Sequence, residues 1–116
     1  MASTPDFVAH VLDLLGGPGR LGPVQARAMF GGHGLYLQGR MFALIVNDRL
    51  YVKADAHNRA LFEAKGLPPF TYEAKGRRVQ VAYHEVPAEA LDQPEGAVQW
   101  AREGLAAALR APARRR

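Results

Sequence analysis

The sequence predicts an α+β domain of two layers, with helices packed on an antiparallel sheet. Three observations predict it. Short apolar runs are separated by the two-residue turns Gln38-Gly39, Asn47-Asp48 and Lys75-Gly76, which are hairpin signals. Segments at both ends of the chain carry apolar residues at helical spacing. The run Arg27-Ala28-Met29-Phe30-Gly31-Gly32-His33-Gly34-Leu35-Tyr36-Leu37 reads as strand, bend, strand, with glycines supplying backbone freedom at the bend. The predicted order is helix, three or four strands, helix, two strands, helix.

The first helix starts near Pro5. Ser3 or Thr4 caps it, Pro5 suits its first turn, and Asp6 suits the positive end of its dipole. Phe7, Val11 and Leu15 form one stripe, with Val8 and Leu12 beside it. Gly16-Gly17-Pro18-Gly19 stops the helix, and a linker runs to about Gln25. The strands then run over Leu35–Leu37, Met41–Val46 and Arg49–Lys53. Asp55 caps a second helix that buries Leu61 and Phe62 and ends at Gly66, before Pro68-Pro69. Phe70–Ala74 and Arg77–His84 form the next hairpin. The last helix begins near Pro94, buries Ala97, Val98, Ala101, Leu105, Ala108 and Leu109, and ends at Pro112. Trp100 lies at the edge of that stripe.

Composition narrows the function classes. The 116 residues suffice for one core, placed at 1–110, with 111–116 as a basic disordered tail. No stretch approaches the ~20 apolar residues that span a bilayer, and no secretory signal pattern opens the chain. The absence of cysteine removes disulfides, thiol catalysis and cysteine-bound zinc, and fits a cytoplasmic protein. The net charge is +4, but Arg114, Arg115 and Arg116 supply most of it, so the body is near neutral.

Residue chemistry points away from catalysis. Ser3 is the only serine and precedes the first helix, which argues against a serine triad. His10, His33, His57 and His84 lack the spacing of a helical metal pair. The glycines of the central run lead into a strand, unlike a phosphate loop or a dinucleotide fingerprint. The expectation is no catalytic residue, no metal and no cofactor. A polar pocket drawn from Arg27, His33, Tyr36, His84 and Glu85 is the alternative for a small ligand-binding domain or enzyme, with Arg27 pairing Glu85 as its structural counterpart. A nucleic-acid surface would use Arg40, Arg49, Lys53, Arg77, Arg78 and the Arg114–Arg116 tail.

Hairpin register assigns the faces. Across Lys75-Gly76, Tyr72 meets Val79 and Phe70 meets Val81 on an apolar face, while Glu73 meets Arg78 and Thr71 meets Gln80 on a polar one. Across Asn47-Asp48 and Gln38-Gly39, one face collects Tyr36, Met41, Ala43, Ile45, Leu50 and Val52. The other collects Leu35, Leu37, Phe42, Leu44, Val46 and Tyr51. Both are apolar. The helices cover one face, so the second is expected to be an interface, either a homodimer contact or a protein docking surface, through Leu35, Leu37, Phe42, Leu44, Val46 and Tyr51.

These residues resemble a known family, the N-terminal domain of the bacterial competence regulator TfoX, also called Sxy. The matching elements are Arg27 to Tyr36 of the central run, Gly39-Arg40-Met41-Phe42-Ala43-Leu44-Ile45, Leu50-Tyr51-Val52-Lys53, Pro69-Phe70-Thr71-Tyr72, Tyr83-His84-Glu85-Val86-Pro87 and Trp100-Ala101. The resemblance runs from about residue 5 to residue 110. It implies a two-layer fold with an antiparallel sheet, like that of secretion chaperones, and no known catalytic residues. Longer members carry a further C-terminal domain, so the chain resembles a stand-alone member. The function it implies is a non-enzymatic regulatory module of the bacterial cytoplasm, serving transcription regulation and competence through protein contacts.

Overall fold

A computed structural model of the protein describes residues 4–17, 19–29 and 31–111. Helix α1 (Pro5–Gly16) precedes strands β1 (Gln25–Met29), β2 (Gly32–Leu37), β3 (Arg40–Val46) and β4 (Arg49–Lys53). Then come α2 (Arg59–Ala64), β5 (Pro69–Ala74), β6 (Arg77–Glu85) and α3 (Pro94–Arg110), with a 3₁₀ turn at Ala88–Asp92 leading into α3. The predicted class and order are observed, with four strands in the first group. One six-stranded antiparallel sheet has the order β1-β2-β3-β4-β6-β5.

Local chemistry explains the turns. Gln38-Gly39, Asn47-Asp48 and Lys75-Gly76 all have φ between 54° and 78° at both central residues. That left-handed pair matches the right-handed twist of the strands it joins. Gly31, at the bend of the central run, also has positive φ (75°). Thr4 caps α1 by accepting from the Phe7 N–H (3.2 Å), and its own N–H donates to Asp48 (2.8 Å). One short polar contact therefore fixes the start of α1 to the β3–β4 turn. Ser3 and Pro112, the other predicted helix boundaries, lie outside the described residues.

The helices gather on one side of the sheet. Helix α3 lies along β3 and β4, and α1 packs on α3 and on the β1 edge. Gly104 lets α3 come close: a Cβ there would stand 2.6 Å from the Phe42 carbonyl and 2.8 Å from the Val52 Cβ. Phe62 of α2 is fully buried, with its ring against His84 (5.1 Å) and Trp100 (5.4 Å). Leu61 and Leu109, predicted to be buried, are instead about half exposed (48% and 52%). The close approach of α3 is made by small residues, so Gly104, Ala107 and Ala108 occupy the contact and the larger Leu109 turns outward.

A bulge reassigns the sheet faces. Tyr36 pairs with Met41, as the turn dictates, but Leu35 pairs with Ala43, leaving Phe42 as one extra residue in β3. Past the bulge Ala43, Ile45, Leu50 and Val52 face the helices with Leu35, Leu37 and Phe42. A second irregularity between Pro69 and Thr71 displaces the expected Phe70–Val81 pairing, whereas Tyr72–Val79, Glu73–Arg78 and Thr71–Gln80 pair as expected.

The entrance to α2 is a polar knot, and Asp55 does not cap the helix as predicted: α2 starts after Asn58, and the Asp55 carboxylate closes the turn before it. Asn58, only 2% exposed, donates to the carbonyls of Glu103 (3.1 Å) and Lys53 (3.4 Å) and accepts from the Asp55 N–H (2.8 Å). Asp55 accepts from the N–H groups of His57 and Asn58 and receives a bidentate pair from Arg110 at 2.7 and 2.9 Å. The Arg110 hydrogen bond, ahead of the backbone donors, lowers the Asp55 carboxyl to about 2.

Candidate functional site

The face away from the helices holds the concentration of unusual side chains. Cross-strand pairing sets Arg27, Gly34, Leu44, Tyr51 and Glu85 in one row across five strands. Tyr36 and Met41 pair beside it, as do Lys53 and Tyr83. At Gly34 a Cβ would stand 2.7 Å from the Met29 sulfur and 2.8 Å from that of Met41. The missing side chain lets both methionines fold over β2. Leu44 and Tyr83 form the buried floor, at 4% and 8% exposure, yet neither belongs to the cluster under the helices. Phe70 extends the surface toward β5, edge-on to Tyr51 (5.1 Å) and stacked on Tyr72 (6.1 Å). Tyr72 is 41% exposed.

Cations sit on this aromatic surface. The Arg27 guanidinium lies 4.5 Å from the centre of the Tyr36 ring, and the Lys53 ammonium 5.3 Å from that of Tyr83. Arg49 forms an ion pair with Glu85 at 3.4 Å. The Tyr83 hydroxyl donates to the Met41 carbonyl (3.4 Å), and burial, with a smaller contribution from Tyr36, pushes its pKa up to about 12. Burial first, then Glu85, raises Tyr51 as well, against the opposing effect of Arg49. Both phenols therefore remain neutral hydrogen-bonding groups at ordinary pH.

The sequence-predicted residues divide between the faces. Of the six interface candidates, Leu44, Val46 and Tyr51 lie on the uncovered face, joined by Tyr36 and Met41 from the set assigned to the helices. Leu35, Leu37 and Phe42 belong to the helix-side core instead, because the extra residue at Phe42 reverses the alternation. The polar-pocket residues do not converge. Arg27 and Tyr36 meet on the open face. Glu85 pairs with Arg49 rather than with Arg27. His84 packs under α2, with its Nδ1 2.8 Å from the Leu67 carbonyl. His33 pairs with Ile45 on the helix side, and its Nδ1 is buried without a hydrogen-bond partner.

The cationic set is dispersed too. Arg40 donates to the Ala108 carbonyl at the end of α3, while Arg49 and Lys53 lie on the open face. Arg77 and Arg78 sit at the distant β5–β6 turn, and Arg114, Arg115 and Arg116 lie outside the described residues. Among the described residues no three His, Asp or Glu side chains gather as a metal site, and no helix is long and apolar enough to cross a membrane. Sequence reading missed Asn58, whose only signal was its three-residue spacing from Asp55, and Phe70 and Tyr72 as continuations of the face.

The fold is thus an antiparallel sheet with helices on one side and an aromatic surface on the other. The TfoX N-terminal domain family matches residues 18–108, and the chain belongs to that family. A similar curated protein is the DNA transformation protein TfoX1 of Aliivibrio fischeri, 37% identical over 67 residues. That stretch is 58% of this chain and 32% of the relative, so the match spans about a third of the relative's length.

Proposed function

We propose that the chain is a non-enzymatic regulatory module acting through protein–protein contacts made by the uncovered sheet face, either with a partner or with a second copy. By analogy with the relative named for DNA transformation, its setting is regulation of competence and transcription in the bacterial cytoplasm. The observation that carries this reading is the surface of Tyr36, Met41, Val46, Tyr51, Phe70 and Tyr72 opposite the helices. Tyr, Met and Arg are the residue types enriched in protein interfaces, and an apolar area of this kind marks a contact site.

The test compares wild type with Tyr51→Lys and the more exposed Tyr72→Glu. Circular dichroism establishes folding; light scattering and co-purification from the native host read association. Loss of a dimer or of a specific co-purifying protein in folded variants is expected. Unchanged mass and unchanged partners in both would remove the reading.

A further inference from the structure

Resting on that reading, we infer that the uncovered face takes an acidic, apolar segment of a different protein rather than a second copy of this chain. The argument is charge complementarity. Among the described residues, pairing places Arg27, Arg49 and Lys53 on this face, with Arg77 at its far end beside the β5–β6 turn, against one carboxylate, Glu85. Glu85 is already engaged by Arg49. Two such faces pressed together would confine like charges between apolar surfaces, which is costly when water is excluded.

The geometry also disfavours a nucleic-acid strand. Stacking a base needs an open ring face. Arg27 lies over Tyr36, Lys53 lies over Tyr83, and Phe70 is stacked on Tyr72 with Tyr51 at its edge. The same arrangement suits carboxylates. The Tyr36 and Tyr83 rings hold the two cations on a face whose floor, Leu44 and Tyr83, is buried, so little side-chain freedom is lost when an acid group meets them. Apolar side chains of the segment would meet Met41, Val46 and Phe70 between those charges.

Fluorescence anisotropy decides between the occupants with three labelled probes: a short peptide alternating leucine and glutamate, its leucine–lysine counterpart, and single-stranded oligothymidylate. Binding of the glutamate peptide alone is expected, about tenfold weaker in the double variant Arg27→Glu, Lys53→Glu and weakened also by Tyr72→Glu. Equal binding of both peptides, lost in Tyr72→Glu, would overturn the acidic partner while leaving the contact face standing. A dimer in sedimentation that Tyr51→Lys dissociates, without peptide binding, would do the same in favour of self-association. Preferential, salt-sensitive binding of oligothymidylate would overturn both the inference and the protein-contact reading. Failure of every probe together with a monomeric wild type would overturn the inference and leave the co-purification experiment to judge the face.

Discussion

On the helix side of the sheet, Leu35, Phe42, Ala43, Ile45 and Val52 are completely buried, sealed by α1 and α3. On the other side, Tyr36, Met41, Val46, Tyr51 and Phe70 each keep part of their surface in solvent. Both faces come from the same strands, yet their chemistry differs. The sealed face is aliphatic with one large ring from β3, and Gly104 and the alanines of α3 fit closely against it. The open face combines phenols, methionines and cations whose stems and rings cover one another. A face built for permanent burial excludes charge, whereas one that stays in contact with water carries polar tips on apolar bodies.

The difference can be broken from the sealed side first. Phe42→Ala should cost about 3–5 kcal/mol, read as a fall in the urea midpoint; a loss below about 1 kcal/mol would contradict its place in the core. Gly104→Ala comes next. Alanine favours helix by about 1 kcal/mol over glycine, but its methyl would meet the Phe42 carbonyl at 2.6 Å. Overpacking costs about 1–3 kcal/mol, so net destabilisation is expected, and a stabilised variant would show that α3 is free to shift outward.

Acid should act at the polar knot. Asp55 is lowered from 3.8 to about 2 in the folded protein. The folded state holds this proton less tightly, so the contribution to stability is complete above the unfolded value and is lost as pH falls through about 2. Arg110→Ala, by removing the main cause, should flatten the decline in stability between neutral pH and pH 2; an unchanged pH profile would argue against the pair. The smallest effect on folding belongs to the open face. Tyr72→Ala should change stability by less than about 1 kcal/mol while still altering association, and a large loss of stability there would blur the contrast between the faces.

Much of the architecture was legible because it depends on neighbours in the chain. Two-residue turns with Gly, Asn or Asp dictate antiparallel pairing, and Ala43–Val52, Leu44–Tyr51 and Ile45–Leu50 pair as the turn predicts. Thr4, Gly16 and Gly66 mark helix limits through local backbone chemistry. The uncovered face was legible as an existence and only partly as a membership. Leu44, Val46 and Tyr51 lie on it as alternation predicts, but alternation also predicts Leu35, Leu37 and Phe42 there, and these belong to the core under the helices. Alternation assumes an unbroken ladder, and nothing near Phe42 announces the additional residue.

Sequence alone determined the α+β class, the hairpins, the start of α1 at Thr4 and Pro5 and the presence of apolar strand surface on both sides of the sheet. Each follows from interactions a few residues long. It did not determine the start of α2, which follows Asn58 rather than Asp55. Tertiary structure decided which side chains lie on which side, the meeting of Arg27 with Tyr36 and Lys53 with Tyr83, and the closure of Arg110 on Asp55. These depend on packing between segments distant in the chain. The bulge at Phe42 sends a large ring into the core under α3, and that choice turns Met41 and Tyr36 toward solvent.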